Sequence, residues 1–263
     1  MKTRVLFPAI FCFALLASCG GKNSADKTRL YFDEANGYYR NHQYAESLRI
    51  YEDLIGQGTE NAALYFNAGN AAFRLFQEKQ KSGNPVGLLS RSLRHFERAQ
   101  RLRPWDREIR HNLDFARASL VDHIEPARKN PLLFFYRIPS QAHTGIALVF
   151  FLIASAGLGF FFFTQNPEAK ILSRNLGLVA LLLYAVFLGM SRLKYNEDFN
   201  SRVSFIQSET VELKAEPSAD SKTIFTLHEG TRVTDIRKVG EWSLVRIGNG
   251  QEGWIEGLHL LHL

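Results

Sequence analysis

Three uninterrupted apolar stretches stand apart from an otherwise periodic chain: Val5 to Leu16, Gly145 to Phe163, and Leu176 to Met190. The first is about a dozen residues long and follows Lys2 and Arg4, the pattern of an export signal over residues 1–18 rather than of a membrane span. The second runs nineteen residues without a charge and with Ser155 as its one polar side chain, enough at helical rise to cross a bilayer core. It predicts a transmembrane helix over 139–164, with Leu132 to Tyr136 and Arg137 as an interfacial anchor before it. The third is fifteen residues, and Ile171 and Leu172 extend it to a second span over 171–191 if Arg174 and Asn175 snorkel. A polar link around Thr164 to Lys170 joins the two as a hairpin. Between residues 28 and 125 apolar positions recur with helical spacing, and from 203 to 263 they alternate in short runs broken by Gly, Pro, Asp and Ser every eight to twelve residues. The expected architecture is therefore multidomain: an all-α module, a two-helix membrane hairpin and an all-β barrel.

The helical stretch repeats with a period of 34 residues, which resembles the tetratricopeptide (TPR) helix-turn-helix unit. One unit spans 28–61, with Tyr31, Ala35, Tyr38, Tyr44, Leu48 and Tyr51 at apolar or small positions and Asn41-His42-Gln43 at the turn. Ser47 stands where alanine is usual. A second unit spans 62–106, through Tyr65, Ala68-Gly69, Ala72, Ser92, Phe96, Ala99 and Pro104, with about eleven extra residues predicting a loop near 76–86. A capping helix over 106–122 begins at Asp106 and aligns Ile109, Leu113, Ala116 and Leu120. Two units and a cap lie near the lower limit for a repeat stack, so a further neighbour is expected to complete it.

Composition narrows the chemistry. The net charge is +6, of which Lys2 and Arg4 supply two, leaving +4 after signal removal, too mild to imply nucleic acid. The cysteines are Cys12 and Cys19, so the folded modules hold no disulfide, CxxC or thiolate metal site. Leu16-Ala-Ser-Cys19-Gly20 resembles a bacterial lipobox, which implies lipidation of Cys19 and a lipid-proximal tether over 19–27; an uncleaved signal anchor is the alternative. No phosphate loop, dinucleotide fingerprint, HExxH or GxSxG occurs, and His259-x-x-His262 has no carboxylate nearby in sequence. No catalytic residue, metal or cofactor is expected, and no enzymatic activity.

The use of such a stack is a concave groove lined by the first helix of each unit. What the resemblance implies for this chain is a peptide-binding set of Phe32, Asn36, Tyr39, Arg40, Phe66, Asn67, Asn70, Phe73, Arg74, His111 and Asn112. Asn36, Asn67 and Asn70 match the carboxylate-clamp subset, but Phe32 and Glu108 replace its lysines, against capture of a C-terminal carboxylate. The amides either hold a peptide backbone or satisfy one another. Arg91, Arg94, Arg98 and Arg101 form a basic stripe, read as a solvated face or as a site for an acidic partner or anionic head groups.

Leu213-Lys-Ala-Glu-Pro217-Ser, Leu227-x-x-Gly230, Gly240-Glu-Trp242, Val245-Arg-Ile247 and Gly253-Trp254-Ile255 make residues 203–263 resemble a bacterial SH3 domain. Trp242 and Trp254 either fill the barrel or form a ligand shelf. The order of signal, repeats, hairpin and SH3 domain, with Arg103 to Arg117 at the junction, resembles the E-type family of the bacterial aerotolerance (Bat) operon. That resemblance implies a non-catalytic scaffold in the inner membrane, with both modules in the periplasm. Its implied partners are von Willebrand A-type membrane proteins and other TPR proteins of the same operon. A cell-wall sensor whose SH3 domain recognises peptidoglycan is the alternative. The distribution of Lys and Arg argues against export of the modules, since Arg128, Lys129, Arg137, Arg192, Lys194 and Arg202 flank the hairpin on that side, whereas Lys170 and Arg174 sit in its link.

Overall fold

The computed structural model describes residues 21–124, 140–200 and 202–263. The signal segment, Cys19, Leu132 to Tyr136 and the cations Arg128, Lys129 and Arg137 lie outside the described residues. The first module has five helices: α1 (Gly21–Arg40), α2 (Tyr44–Gly56), α3 (Ala62–Ser82), α4 (Leu88–Leu102) and α5 (Arg107–Arg117). Each packs on the next, and α1, α3 and α5 also touch side by side, so the odd helices form one layer and α2 with α4 the other. Tyr51, Leu54, Leu64, Leu93, Phe96 and Leu113 fill the space between. Gly69 admits the Phe96 ring so closely that a Cβ there would lie 2.6 Å from Cδ1. Ser47 and Ser92 are fully buried and satisfied, donating to Ala35 O and Gly69 O at 3.0 Å.

Three boundaries of this module differ from the sequence expectation, the capping helix expected over 106–122 ending at Arg117, where the chain turns at Ala118 and Ser119. Residues 21–27 of the expected tether belong to α1, continuous with the amphipathic run that follows. The insertion near 76–86 is mostly not loop: Gln77-Glu-Lys-Gln-Lys81 are good helix formers and lengthen α3 to Ser82. The helix stops at Gly83, whose φ of 96° lets its N–H and that of Asn84 both return to Lys79 O. At α5, Asp106 accepts from Glu108 N and Ile109 N as N-cap.

α6 (Ser140–Phe163) and α7 (Pro167–Asn200) pack along one another as a hairpin. Both are long and apolar enough to cross a membrane, and only 6% and 11% of their most apolar windows are buried. The link is only Thr164 to Asn166, because Asn166 caps α7 by accepting from Glu168 N and Ala169 N and Pro167 opens it. α7 runs past the apolar stretch to Asn200, since hydropathy limits the span and not the helix. At Gly157 the backbones approach until a Cβ would stand 3.2 Å from Ser173 O.

The last module is an antiparallel sheet of β1 (Val203–Ile206), β2 (Thr210–Lys214), β3 (Thr223–His228), β4 (Arg232–Val239), β5 (Trp242–Ile247), β6 (Glu252–Glu256) and β7 (Leu260–His262), in the order β3-β2-β6-β5-β4-β1-β7. Ile206, Leu213, Leu227, Val245 and Ile255 are fully buried at its centre.

The helical module and the barrel dock on each other, although the hairpin separates them in sequence. Glu229 Oε1 accepts from Leu89 N at 2.8 Å and Ser90 N at 3.1 Å, capping α4 where Gly87 has no side chain to do so. Burial raises the Glu229 pKa, opposed by these backbone hydrogen bonds. Asp122 accepts from His228 N (2.7 Å) and Thr231 Oγ1 (2.6 Å) and pairs with His228 Nδ1 at 2.8 Å. Burial raises its pKa, but these partners outweigh burial and lower it overall. The buried Glu97 bridges Arg117 of α5 and Arg232 of β4. Gly230, at φ 83°, presses against Leu120, Leu93 and Leu89, and Phe205, Leu261 and Leu263 join the helical core. Both modules therefore stand at the same end of the hairpin.

Candidate functional site

The odd-helix layer brings the expected amides together. Asn36 Oδ1 accepts from Tyr51 Oη at 2.6 Å and from Asn67 Nδ2 at 2.9 Å, joining α1, α2 and α3. One turn along α3, Asn70 Oδ1 accepts from Asn112 Nδ2 of α5 at 2.8 Å. The amides thus satisfy one another in part and lock adjacent helices. Each is only half-buried, and Asn36 Nδ2, Asn67 Oδ1, Asn70 Nδ2 and Asn112 Oδ1 remain without a partner among the described residues. These groups can donate to and accept from the N–H and C=O groups of an extended peptide. Burial raises the Tyr51 pKa, which keeps the phenol a donor.

The aromatic positions divide differently from the expectation. Phe73 is buried and serves the core, stacked edge-on by Phe115 at 5.5 Å. Phe32 and Phe66 are half-buried against Tyr51 (5.8 Å) and Phe96 (5.9 Å), and Tyr39 lies edge-on to Tyr44 at 5.3 Å. The exposed ring is Phe115, 56% accessible, which the sequence reading missed; its signal was the four-residue spacing from His111. Arg40, Arg74 and His111 are exposed, so the rim is cationic.

The basic stripe of α4 is not a solvated face. Glu52 of α2 hydrogen-bonds Arg91, lies 3.8 Å from Arg94 and 3.1 Å from His95 Nε2, while Arg98 stacks over Tyr65 at 5.4 Å. Burial pushes the Glu52 carboxyl up, but hydrogen bonds from His95 and Arg91 and the Arg91 charge overcome it and bring the pKa to about 2. Burial holds His95, which is fully enclosed, down at about 4, so near neutrality it is uncharged and donates from Nε2. A depressed histidine pKa means that the unfolded chain binds the proton more readily. Its stabilising effect is complete above pH 6.5 and is lost as pH falls from 6.5 to about 4. Thermal melting of the protein from pH 7 to 4 should therefore lose about 3 kcal/mol from this group, and His95→Gln should flatten that part of the profile. An unchanged pH profile in the variant would refute the assignment.

In the barrel, neither tryptophan belongs to the central cluster. The β5–β6 register sets Leu244 opposite Trp254 and Trp242 opposite Glu256. Trp254 is 7% exposed and lies beneath the Arg237 guanidinium, 5.2 Å from its ring; Trp242 is half-buried. Any aromatic shelf is therefore Trp242 beside an Arg-covered Trp254. His259 and His262 diverge, to Ser208 Oγ (2.6 Å) and Ser204 Oγ (2.8 Å). No cluster of three or more His, Cys, Asp or Glu able to hold a metal occurs among the described residues.

With this geometry in place, comparison with known families assigns the class of the barrel: residues 209–260 match the family model of the bacterial SH3 domain. The match begins at β2, and β1 and β7 complete the sheet beside it. No curated protein matches the chain.

Proposed function

We propose that this chain is a non-catalytic, membrane-anchored scaffold that holds protein partners through the TPR-like groove of its helical module and through its SH3-like barrel. The observation that carries the reading is the half-paired amide row of Asn36, Asn67, Asn70 and Asn112, framed by Phe115, Arg40 and Arg74. Docking of the barrel on the helices supports presentation of both surfaces at one side of the membrane, where local concentration favours assembly. We place that side in the periplasm, following the export signal. The resemblance to the Bat E-type family extends the reading to an aerotolerance or envelope stress complex with von Willebrand A-type and TPR partners.

The test is crosslinking in cells, with mass spectrometry of captured proteins. Asn67→Ala with Asn70→Ala should reduce capture about tenfold, the scale of one or two lost hot-spot contacts, while the folded module loses about 2 kcal/mol. Unchanged capture would remove the groove from the mechanism. The bacterial SH3 match also supports a second reading, binding of peptidoglycan by the barrel. Co-sedimentation with purified sacculi, retained by a chain lacking residues 28–125 and lost with Trp242→Ala, would favour that reading over the scaffold.

A further inference from the structure

A groove of about 790 Å³ lies between the start of α6 and the C-terminal half of α7, within the range of small-molecule sites. It is lined by the half-buried Tyr184 and the exposed Ala185 and Leu188, together with Gln141, Thr144 and Arg192. The Thr144 and Ser191 hydroxyls hydrogen-bond at 2.7 Å, and the His143 and Phe187 rings approach to 6.1 Å, fixing the two helices beside the groove. Gly189 opens it: a Cβ at that position would meet nothing within 4 Å. From Tyr184 to Arg192 the helix rises about 12 Å, so the apolar wall and the guanidinium are separated as an acyl chain and a phosphate are.

We propose that this groove binds one anionic phospholipid, with an acyl chain along Tyr184, Ala185 and Leu188 and the phosphate at Arg192 and the Gln141 amide. The inference takes α6 and α7 as a membrane hairpin and is independent of the binding modules. Charge selects the occupant. Among the described residues Arg192 is exposed and has no ion pair, and none of those lining the groove is Asp or Glu. It follows the apolar stretch that ends at Met190, which sets it at head-group depth. A guanidinium and an amide both donate to phosphate oxygens, whereas a zwitterionic head group adds a cation beside Arg192. A neutral partner helix would fill the apolar wall and leave the guanidinium unused.

The test uses full-length protein, purified and delipidated in detergent. It is incubated with dioleoyl-phosphatidylglycerol or dioleoyl-phosphatidylcholine, and bound lipid is counted by native mass spectrometry. The wild type should retain one phosphatidylglycerol at least fivefold better than phosphatidylcholine. Arg192→Gln should bring the two lipids level, and Gly189→Leu, which fills the groove, should lower both about tenfold. Arg174→Gln, at the link end of the hairpin, should change neither. Equal retention of both lipids by the wild type, or an Arg192→Gln variant that still prefers phosphatidylglycerol, would overturn the proposal. So would Gly189→Leu converting a dimer to monomer with lipid retention unchanged, which would make this face a contact between copies. Arg192→Gln leaves the apolar lining intact, so the test stands even where Gly189→Leu disturbs insertion.

Discussion

Gly69→Val is expected to unfold the helical module at ordinary temperature. A Cβ at this position would stand 2.6 Å from Phe96 Cδ1 and 3.0 Å from Cγ, and Phe96 is 1% exposed at the centre of the core. The ring has nowhere to go without displacing Leu93, Leu113 or the neighbouring helix, because interiors are close-packed and deform little. Even Gly69→Ala should cost about 3 kcal/mol, and the two extra methyl groups of valine push the total toward the whole stability of a small domain, about 5–10 kcal/mol. Far-ultraviolet circular dichroism would show the alanine variant melting roughly 10–20 °C lower. Gly69→Ala with Phe96→Leu should recover part of that loss, since the smaller side chain yields the space. A double variant no more stable than Gly69→Ala would mean that the clash lies elsewhere.

The second large effect is separation of the two modules. Gly230→Val combines a backbone at φ 83°, costly for a β-branched residue, with a Cβ 2.6 Å from Leu120 Cδ2 and 3.0 Å from Leu93 Cδ1. Strain and overpacking together should cost about 3–5 kcal/mol. Because Gly230 sits on the interface, the expected result is loss of docking with both modules still folded. Hydrogen exchange reads this directly: the Leu89 and Ser90 amides, held by Glu229, should exchange roughly 100-fold faster, while β5 and β6 keep their protection. Glu229→Ala removes the same acceptor without strain at Gly230 and should give a smaller increase of the same sign. Slow exchange at both amides in both variants would refute a docking role for this corner.

The elements that announce themselves in the sequence are those whose burial has a period. The apolar faces of α2, α4 and α5, the unbroken runs inside α6 and α7, and the alternation of Val211, Leu213, Val245 and Ile247 all follow from one-sided burial. The Asn row was legible as candidates, but its internal pairing was not, since pairing depends on how helices 31 or 42 residues apart align. Glu52 looks like any surface carboxylate until α4 brings Arg91, Arg94 and His95 beside it. The docking contacts left still less trace. Glu229, Asp122 and Glu97 sit in turns or on helices where acids are normally solvated, and their partners lie more than a hundred residues away for the first two. Gln77 to Lys81 was misread for the opposite reason: polarity and a nearby Gly-Asn-Pro suggested loop, while backbone propensity favoured helix.

The cap that Glu229 places on α4 also sets an order of events during synthesis. Leu89 leaves the ribosome 140 residues before Glu229, which at ordinary elongation speeds is roughly 7–28 s. Throughout that interval the first turn of α4 has no carboxylate on its amides, and the edge of Leu89 and Leu93 that Gly230 later covers is left open. Where α6 and α7 cross a bilayer as a pair, the barrel returns to the side of the helices and the cap can form, whereas insertion of one of them alone strands the barrel on the opposite side. Completion of the amino-terminal module would then double as a check that the two helices were inserted together. Chains with a misplaced hairpin would keep an open, protease-sensitive α4, and the cell could remove them by the same quality control that clears unfinished proteins.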